Sequence, residues 1–210
     1  MAALIPNIKA EAPVGRQALA EVLRRTDLRG IYLATAFAVT AHFAAFTFIE
    51  PFLSNTAEMS GSMVAVMLFS FGVAGVVGNV LTGFFIDKHL KIVLALALTA
   101  MSAALASLSF FGEALAVEAL IALLVLWGAA IAIIFVGFQA WILRVAGTAA
   151  LPASAIYVSI FNAAIGTGAM VGAWILSHAG LQGLLSLAGI GGAIGIGLIS
   201  LCRAPRRIEP

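Results

Sequence analysis

Polar side chains are rare in the apolar stretches of this chain, so the few that occur there carry most of its chemistry. His42, Phe46 and Glu50 are spaced by four, which puts them on one face of a helix. An imidazole, an aromatic ring and a carboxylate in one stripe suit a polar, hydroxylated or cationic small molecule. Either titratable group can carry a proton. Histidine, with an ordinary pKa of about 6.5, is the proton-coupling candidate at neutral pH. The competing reading has His42 bonded to a neighbouring helix and Glu50 capping a helix end in water. Further along, Gly128, Phe135 and Gln139 share a face, and Asn162 stands between Tyr157 and Gly166 in a later apolar segment. Amides donate and accept, which suits sugar hydroxyls, yet they also join membrane helices to one another.

Nothing points to catalysis. His42, His89 and His178 fall at three different depths and no pair has zinc-binding spacing. No serine, histidine and carboxylate converge by spacing. The run Gly189-Ile-Gly191-Gly192-Ala-Ile-Gly195 follows no strand and sits in hydrocarbon, so it is no phosphate loop. Cys202 is the only cysteine, which excludes an internal disulfide and a cysteine metal site. We expect no enzyme, no cofactor and no metal.

The elements that must position these residues are membrane-spanning helices. The chain is 63% hydrophobic and 10% charged, with a mean hydropathy of +1.14; a soluble domain carries roughly 25% charged residues. About 20 apolar residues cross a bilayer as a helix, and six such segments follow in order: 30–49, 62–86, 92–111, 116–143, 153–176 and 184–201. Glu50-Pro51 ends the first, Asp87-Lys88-His89 the second, and Gly112-Glu113 forms the turn after the third. Threading them puts all eleven Lys and Arg on one side. Lys9, Arg16, Arg24, Arg25 and Arg29 precede the first span; Lys88 and Lys91 lie between the second and third. Arg144 follows the fourth, and Arg203, Arg206 and Arg207 follow the sixth. Because cytoplasmic loops accumulate Lys and Arg, both termini are expected in the cytoplasm. Residues 1–20 contain Pro6, Pro13, Lys9, Glu11 and Arg16, so they are not a signal peptide. The expected organisation is a cytoplasmic linker over 1–29 with a short amphipathic stretch at 17–28, a six-helix domain over 30–202, and a cytoplasmic tail over 203–210. A net charge of +2 spread over membrane-flanking loops suits anionic lipid headgroups rather than nucleic acid.

Glycines recur inside the spans. Gly72, Gly75 and Gly78 lie three apart, and Gly168 with Gly172 and Gly191 with Gly195 lie four apart. In lipid, small residues let backbones approach closely, so these sets read as packing faces; Asn79 reads as packing too. Trp141 and Trp174 read as interfacial anchors, Trp127 as deeper, and Glu118 as solvated.

Two stretches carry a family resemblance. Thr40-Ala-His42-Phe-Ala-Ala-Phe46-Thr-Phe-Ile-Glu50-Pro51-Phe52 resembles the seventh helix of bacterial sugar efflux transporters, in the drug:proton antiporter branch of the major facilitator superfamily. The stretch Ile156-Tyr157-Val-Ser-Ile-Phe161-Asn162-Ala-Ala-Ile-Gly166-Thr-Gly168-Ala-Met-Val-Gly172 resembles the eleventh. Trp127-Gly128 followed by Gln139 is similar to the tenth, and Gly83-Phe-Phe-Ile-Asp87-Lys88-His-Leu-Lys91 to the superfamily's G-x-x-x-D-[RK] loop. The resemblance implies an all-α membrane protein forming one half of a twelve-helix fold, the C-terminal half, built as two inverted three-helix repeats. It implies proton-coupled export of sugars or similar small polar compounds across the inner membrane. His42, Phe46, Glu50, Gln139 and Asn162 would then line the substrate cavity, with Gly83, Asp87 and Lys88 in a cytoplasmic gate loop. The implied partners are the small-molecule substrate, protons, membrane lipids, and an N-terminal six-helix half or a second copy of the chain. A half alone would turn its polar stripe toward lipid. A drug or nucleoside efflux protein of the same branch is the nearest alternative, and a non-transporting membrane subunit is another.

Overall fold

The computed structural model describes residues 15–56 and 59–203. The expected linker before residue 15 and the tail from residue 204 lie outside the described residues. What is described is helical throughout: α1 (Arg16–Arg24), α2 (Thr26–Phe46), α3 (Ile49–Thr56), α4 (Gly61–Phe111), α5 (Val117–Ala146) and α6 (Ala150–Leu201), with short turns at Gly112–Ala114 and Gly147–Ala149. Among the described residues, three helical stretches are long and apolar enough to cross a membrane: Thr26–Asn55, Gly61–Ala114 and Val117–Leu201.

Two of these helices are too long to run straight. The 51 residues of α4 and the 52 of α6 would each extend about 75–80 Å at 1.5 Å per residue, against roughly 30 Å of hydrocarbon. Each contains one residue outside helical angles. His89 (φ −134°, ψ 30°) interrupts α4, and Gly180 (φ 68°, ψ −175°) interrupts α6. The second conformation is essentially open to glycine alone. Contacts show the chain reversing at both places. Early in α4, Phe71 meets Trp127 and Asp87 meets Arg144, so α4 runs parallel to α5. Past His89, Leu94 faces Gly137, and the direction is opposite. Likewise Tyr32 donates to the Ala153 carbonyl, and Gly168 and Gly172 lie against Thr40 and Ala44, so α6 first climbs alongside α2. After Gly180, Gly191 faces Ala41 and Gly195 faces Ala38, and α6 descends along the same helix.

Close backbone approach holds these elements together. A Cβ on Gly168 would lie 2.8 Å from the Thr40 carbonyl oxygen, and one on Gly172 2.8 Å from that of Ala44. Gly78 presses on Ala129 in the same way, at 2.6 Å from its oxygen. Gly72 does not; nothing lies within 4 Å of it. Trp127, Phe138, Leu94, Leu98, Met101 and Leu105 fill the interior, while Phe69, Val76, Val80, Phe84 and Trp174 stand exposed on the outside. A soluble protein avoids so broad an apolar exterior; for lipid it is the appropriate surface.

Several expectations need correction. The first span does not end at Glu50-Pro51. The helix breaks earlier, at Thr47–Phe48, and α3 restarts with Pro51 in its first turn, where the missing N–H costs nothing. The loops expected around 87–91 and 177–183 shrink to single non-helical residues. Trp141 is fully buried rather than interfacial, and Asn79 is exposed rather than packed.

Candidate functional site

His42 lies inside the bundle, only 3% exposed. Its ring stacks on Phe46 at 5.3 Å and lies parallel to Phe71 at 6.3 Å. Phe43, Trp127 and Phe135 present edges or faces to it at 4.8, 5.6 and 5.6 Å. Three helices build this cluster: α2 gives the histidine, Phe43 and Phe46; α4 gives Phe71; α5 gives Trp127 and Phe135. The α5 backbone can come close because Gly128 sits directly on the Phe71 backbone. Among the described residues, His42 Nδ1 and Trp127 Nε1 have no hydrogen-bond partner. An unsatisfied buried polar atom costs about 1–3 kcal/mol, so this spot holds unspent hydrogen-bonding capacity.

The aromatic cluster extends to α6. Phe161 meets Phe135 edge-on at 4.7 Å and Phe43 at 6.3 Å. Tyr157, one turn earlier, donates to the Phe135 carbonyl at 2.9 Å and ties α6 to α5. Gln139, one turn along α5 from Phe135, is half-buried and donates to Ser154 Oγ at 2.8 Å. Asn162 follows Phe161 and is exposed; its amide donates to the Val158 carbonyl one turn back, at 2.8 Å. That bond leaves the amide oxygen and the second N–H for other partners.

The structure therefore brings four of the five expected cavity residues to one region. Glu50 is separate. The break at Thr47–Phe48 interrupts the spacing-by-four stripe, and Glu50 stands exposed in α3, accepting from Ser54 Oγ at 2.9 Å. The expectation that His42 faces outward is also corrected: Phe71 and Trp127 cover it within the chain itself. Sequence reasoning missed Phe43, Phe71 and Ser154 as its surroundings. Only the partner helices reveal them, since each reads locally as an ordinary apolar or small residue.

The expected gate loop lies at the other end of the first half of α4. Asp87 pairs with Arg144 at 2.5 Å, and the same guanidinium donates to the Asp87 carbonyl at 3.2 Å. Gly83 and Lys88 are exposed. Other basic residues gather at this end and cap helices. Arg25 donates to the carbonyls of Val145 and Ala146 at 2.7 and 3.2 Å, at the C-terminus of α5. Lys91 donates to those of Ser200 and Cys202 at 3.0 and 2.6 Å, at the C-terminus of α6. Cations placed on helix C-termini meet the negative end of the dipole. Among the described residues, no three His, Cys, Asp or Glu side chains gather as a metal site.

An apolar helical exterior and helices that fold back on one another fit a multi-pass membrane protein. A sequence model of the Major Facilitator Superfamily matches residues 31–210, and the chain belongs to that family.

Proposed function

We propose that the chain is the C-terminal half of a proton-coupled exporter of sugars or similar small polar compounds, in the drug:proton antiporter branch. In this reading it crosses the inner membrane six times, with breaks at His89 and Gly180 separating consecutive spans and with both termini in the cytoplasm. Residues 1–29 form the linker, 30–202 the transmembrane domain and 203–210 the tail. The observation that carries the reading is the continuous aromatic wall from His42 and Phe46 through Phe135 to Phe161, flanked by Gln139 and Asn162. Ring faces take the apolar face of a sugar while amides take its hydroxyls. Asn162, next in sequence to Phe161, is exposed. A second six-helix half, encoded separately or supplied by another copy, completes the cavity, and rocking of the halves alternates access. His42 is the proton-coupling residue, and Glu50 tunes affinity from the cavity's outer end. Gly83, Asp87 and Lys88 belong to the cytoplasmic gate, which Arg144 latches. The density of rings around His42 favours drug or nucleoside export as the second reading, because flat heteroaromatic substrates stack on such walls.

The test is efflux from proteoliposomes holding this chain with its complementary half, using labelled mono- and disaccharides and an imposed proton gradient. Gradient-dependent sugar export, collapsed by a protonophore, is expected. Robust export from a monodisperse monomer of this chain alone overturns the half-transporter reading, and export of planar aromatic cations in place of sugars selects the second one. Reporter fusions check the orientation: Thr56, Gly112 and Gly180 should report periplasm, and Lys88, Gly147 and Pro210 cytoplasm.

A further inference from the structure

On the outside of the bundle, away from the aromatic wall, α2 and the two arms of α6 enclose an open groove of about 400 Å³. Phe37, Thr40 and Ala41 form one side, and Ile190, Gly191 and Ile194 the other. Apart from Thr40 the named walls are apolar. The groove exists because Gly191 and Ala41 bring the helix axes close, a Cβ on Gly191 falling 2.7 Å from that of Ala41. Larger neighbours on either side then stand up as walls.

Beyond one end of the groove the same helix stripe carries a charge. Arg29, Leu33 and Phe37 are spaced by four on α2, so they form one stripe, and all three are exposed. By helical rise Arg29 lies about 12 Å from Phe37 along that stripe. Among the described residues its guanidinium makes one hydrogen bond, from Nε to the Leu23 carbonyl at 2.8 Å, which leaves both terminal amino groups for another partner. The next residue, Gly30, packs against Cys202, so Arg203 lies at the same level. An apolar groove of acyl-chain character capped by arginine at the membrane surface has the polarity of a phospholipid with an anionic headgroup.

We propose that this groove is a binding site for an anionic phospholipid, with an acyl chain lying between α2 and α6 and the phosphate on Arg29. The site rests on the chain's membrane-spanning character and not on the exported substrate. Lipid bound there bridges α2 to both arms of α6, the helices that carry His42 and Asn162, so occupancy holds the aromatic wall in register.

Native mass spectrometry of the detergent-purified chain tests this, with dioleoyl phosphatidylglycerol or dioleoyl phosphatidylcholine added in parallel. Wild type should retain phosphatidylglycerol in preference to phosphatidylcholine. Arg29→Gln should lose about fivefold of that preference, the weight of one surface arginine on an anionic lipid. Ala36→Phe, which fills the groove from its α2 wall, should lose retention of both lipids. If that variant does not elute as a monodisperse species, Ile190→Phe fills the groove from the opposite wall and carries the same expectation. Equal retention of the two lipids by wild type, or an unchanged preference in Arg29→Gln, overturns the proposal. Undiminished retention in the filled variant places the lipid elsewhere and overturns it as well. A dimer of the Phe37→Cys variant crosslinked through that position, formed without retained lipid, assigns the groove to a second copy instead.

Discussion

The basic end of the bundle and its aromatic middle are both built from polar groups in an apolar chain, yet they are finished differently. At the basic end the charged groups Arg25, Lys91 and Arg144 each reach a backbone carbonyl, and two of them also a carboxylate. In the middle, His42 Nδ1 and Trp127 Nε1 are enclosed by rings and bonded to nothing within the chain's described residues. Satisfied groups lock helix ends in place. Unsatisfied ones cost stability and are retained where something else uses them. The comparison assigns anchoring to the basic end, while the orphaned nitrogens of the middle, shared by Trp141 Nε1 near the α5 C-terminus, support the role proposed for His42.

The strongest way to break that assignment is to remove the unsatisfied imidazole without removing its volume. His42→Phe keeps a ring among the same five aromatic neighbours and deletes the orphaned nitrogen, so the folded protein should be as stable as wild type or more so. Under the proposed function, the same change in the complete transporter should cut proton-driven export at least tenfold and flatten its pH profile. Wild-type export with unchanged pH dependence would make His42 a packing residue and dissolve the contrast. Phe46→Ala sharpens it from the other side. Loss of the stacked ring at 5.3 Å should raise the substrate's apparent KM several-fold, by an aromatic contact of about 0.5–1.5 kcal/mol, with the pH profile in place. A shifted pH optimum in that variant would show that the ring tunes the proton site rather than the substrate.

Between these regions the glycine contacts set the helix spacing. Gly168→Val puts a branched side chain where even a Cβ would sit 2.8 Å from the Thr40 oxygen. It should destabilise the chain by about 1–3 kcal/mol, the usual cost of overpacking, whereas Gly72→Val, with open space around it, should be neutral. Thermal unfolding of the two purified variants compares them directly. Equal losses would mean that glycine acts here through the backbone and not through contact.

The helical class and the apolar segments are legible in the sequence because hydropathy and period are local properties. So is the gathering of basic residues, since a rule about loops needs no partner helix. What local reading misjudges is where a helix stops. Asp87-Lys88-His89 looks like a loop of several residues, yet the chain turns there with only His89 outside helical angles. Glu50-Pro51 looks like a terminus, but proline in a first turn begins a helix as readily as it ends one. The site is half-legible for the same reason. Spacing by four places His42 beside Phe46, and the structure stacks them. Spacing cannot report that Phe71, one helix away and brought in by the Gly128 contact, covers His42 from the side expected to be open. Trp141 misleads likewise: tryptophan near a span's end suits an interface, and tertiary packing buries it.

The smallest effects are expected at the basic end, where several bonds share each task. Arg25 binds Asp27 through Nε and Nη2, at 3.1 and 2.6 Å, and the α5 carbonyls through Nη1 and that same Nη2. Arg25→Gln removes the cation from the α5 C-terminus, a contribution of about 0.3–1 kcal/mol, and should lower Tm by no more than about 4 °C. Asp27→Asn deletes only an ion pair whose side chains are 34% and 51% exposed. Such pairs contribute about 0–1 kcal/mol and weaken with salt, while the bonds from Arg25 to Val145 and Ala146 survive. Its Tm should therefore fall less than that of Arg25→Gln, and the small deficit should vanish at high ionic strength where the arginine variant's deficit persists. A larger loss from Asp27→Asn than from Arg25→Gln would mean that the carboxylate, not the carbonyl cap, holds the arginine in place. The basic end would then depend on a screened surface pair rather than on anchored helix termini.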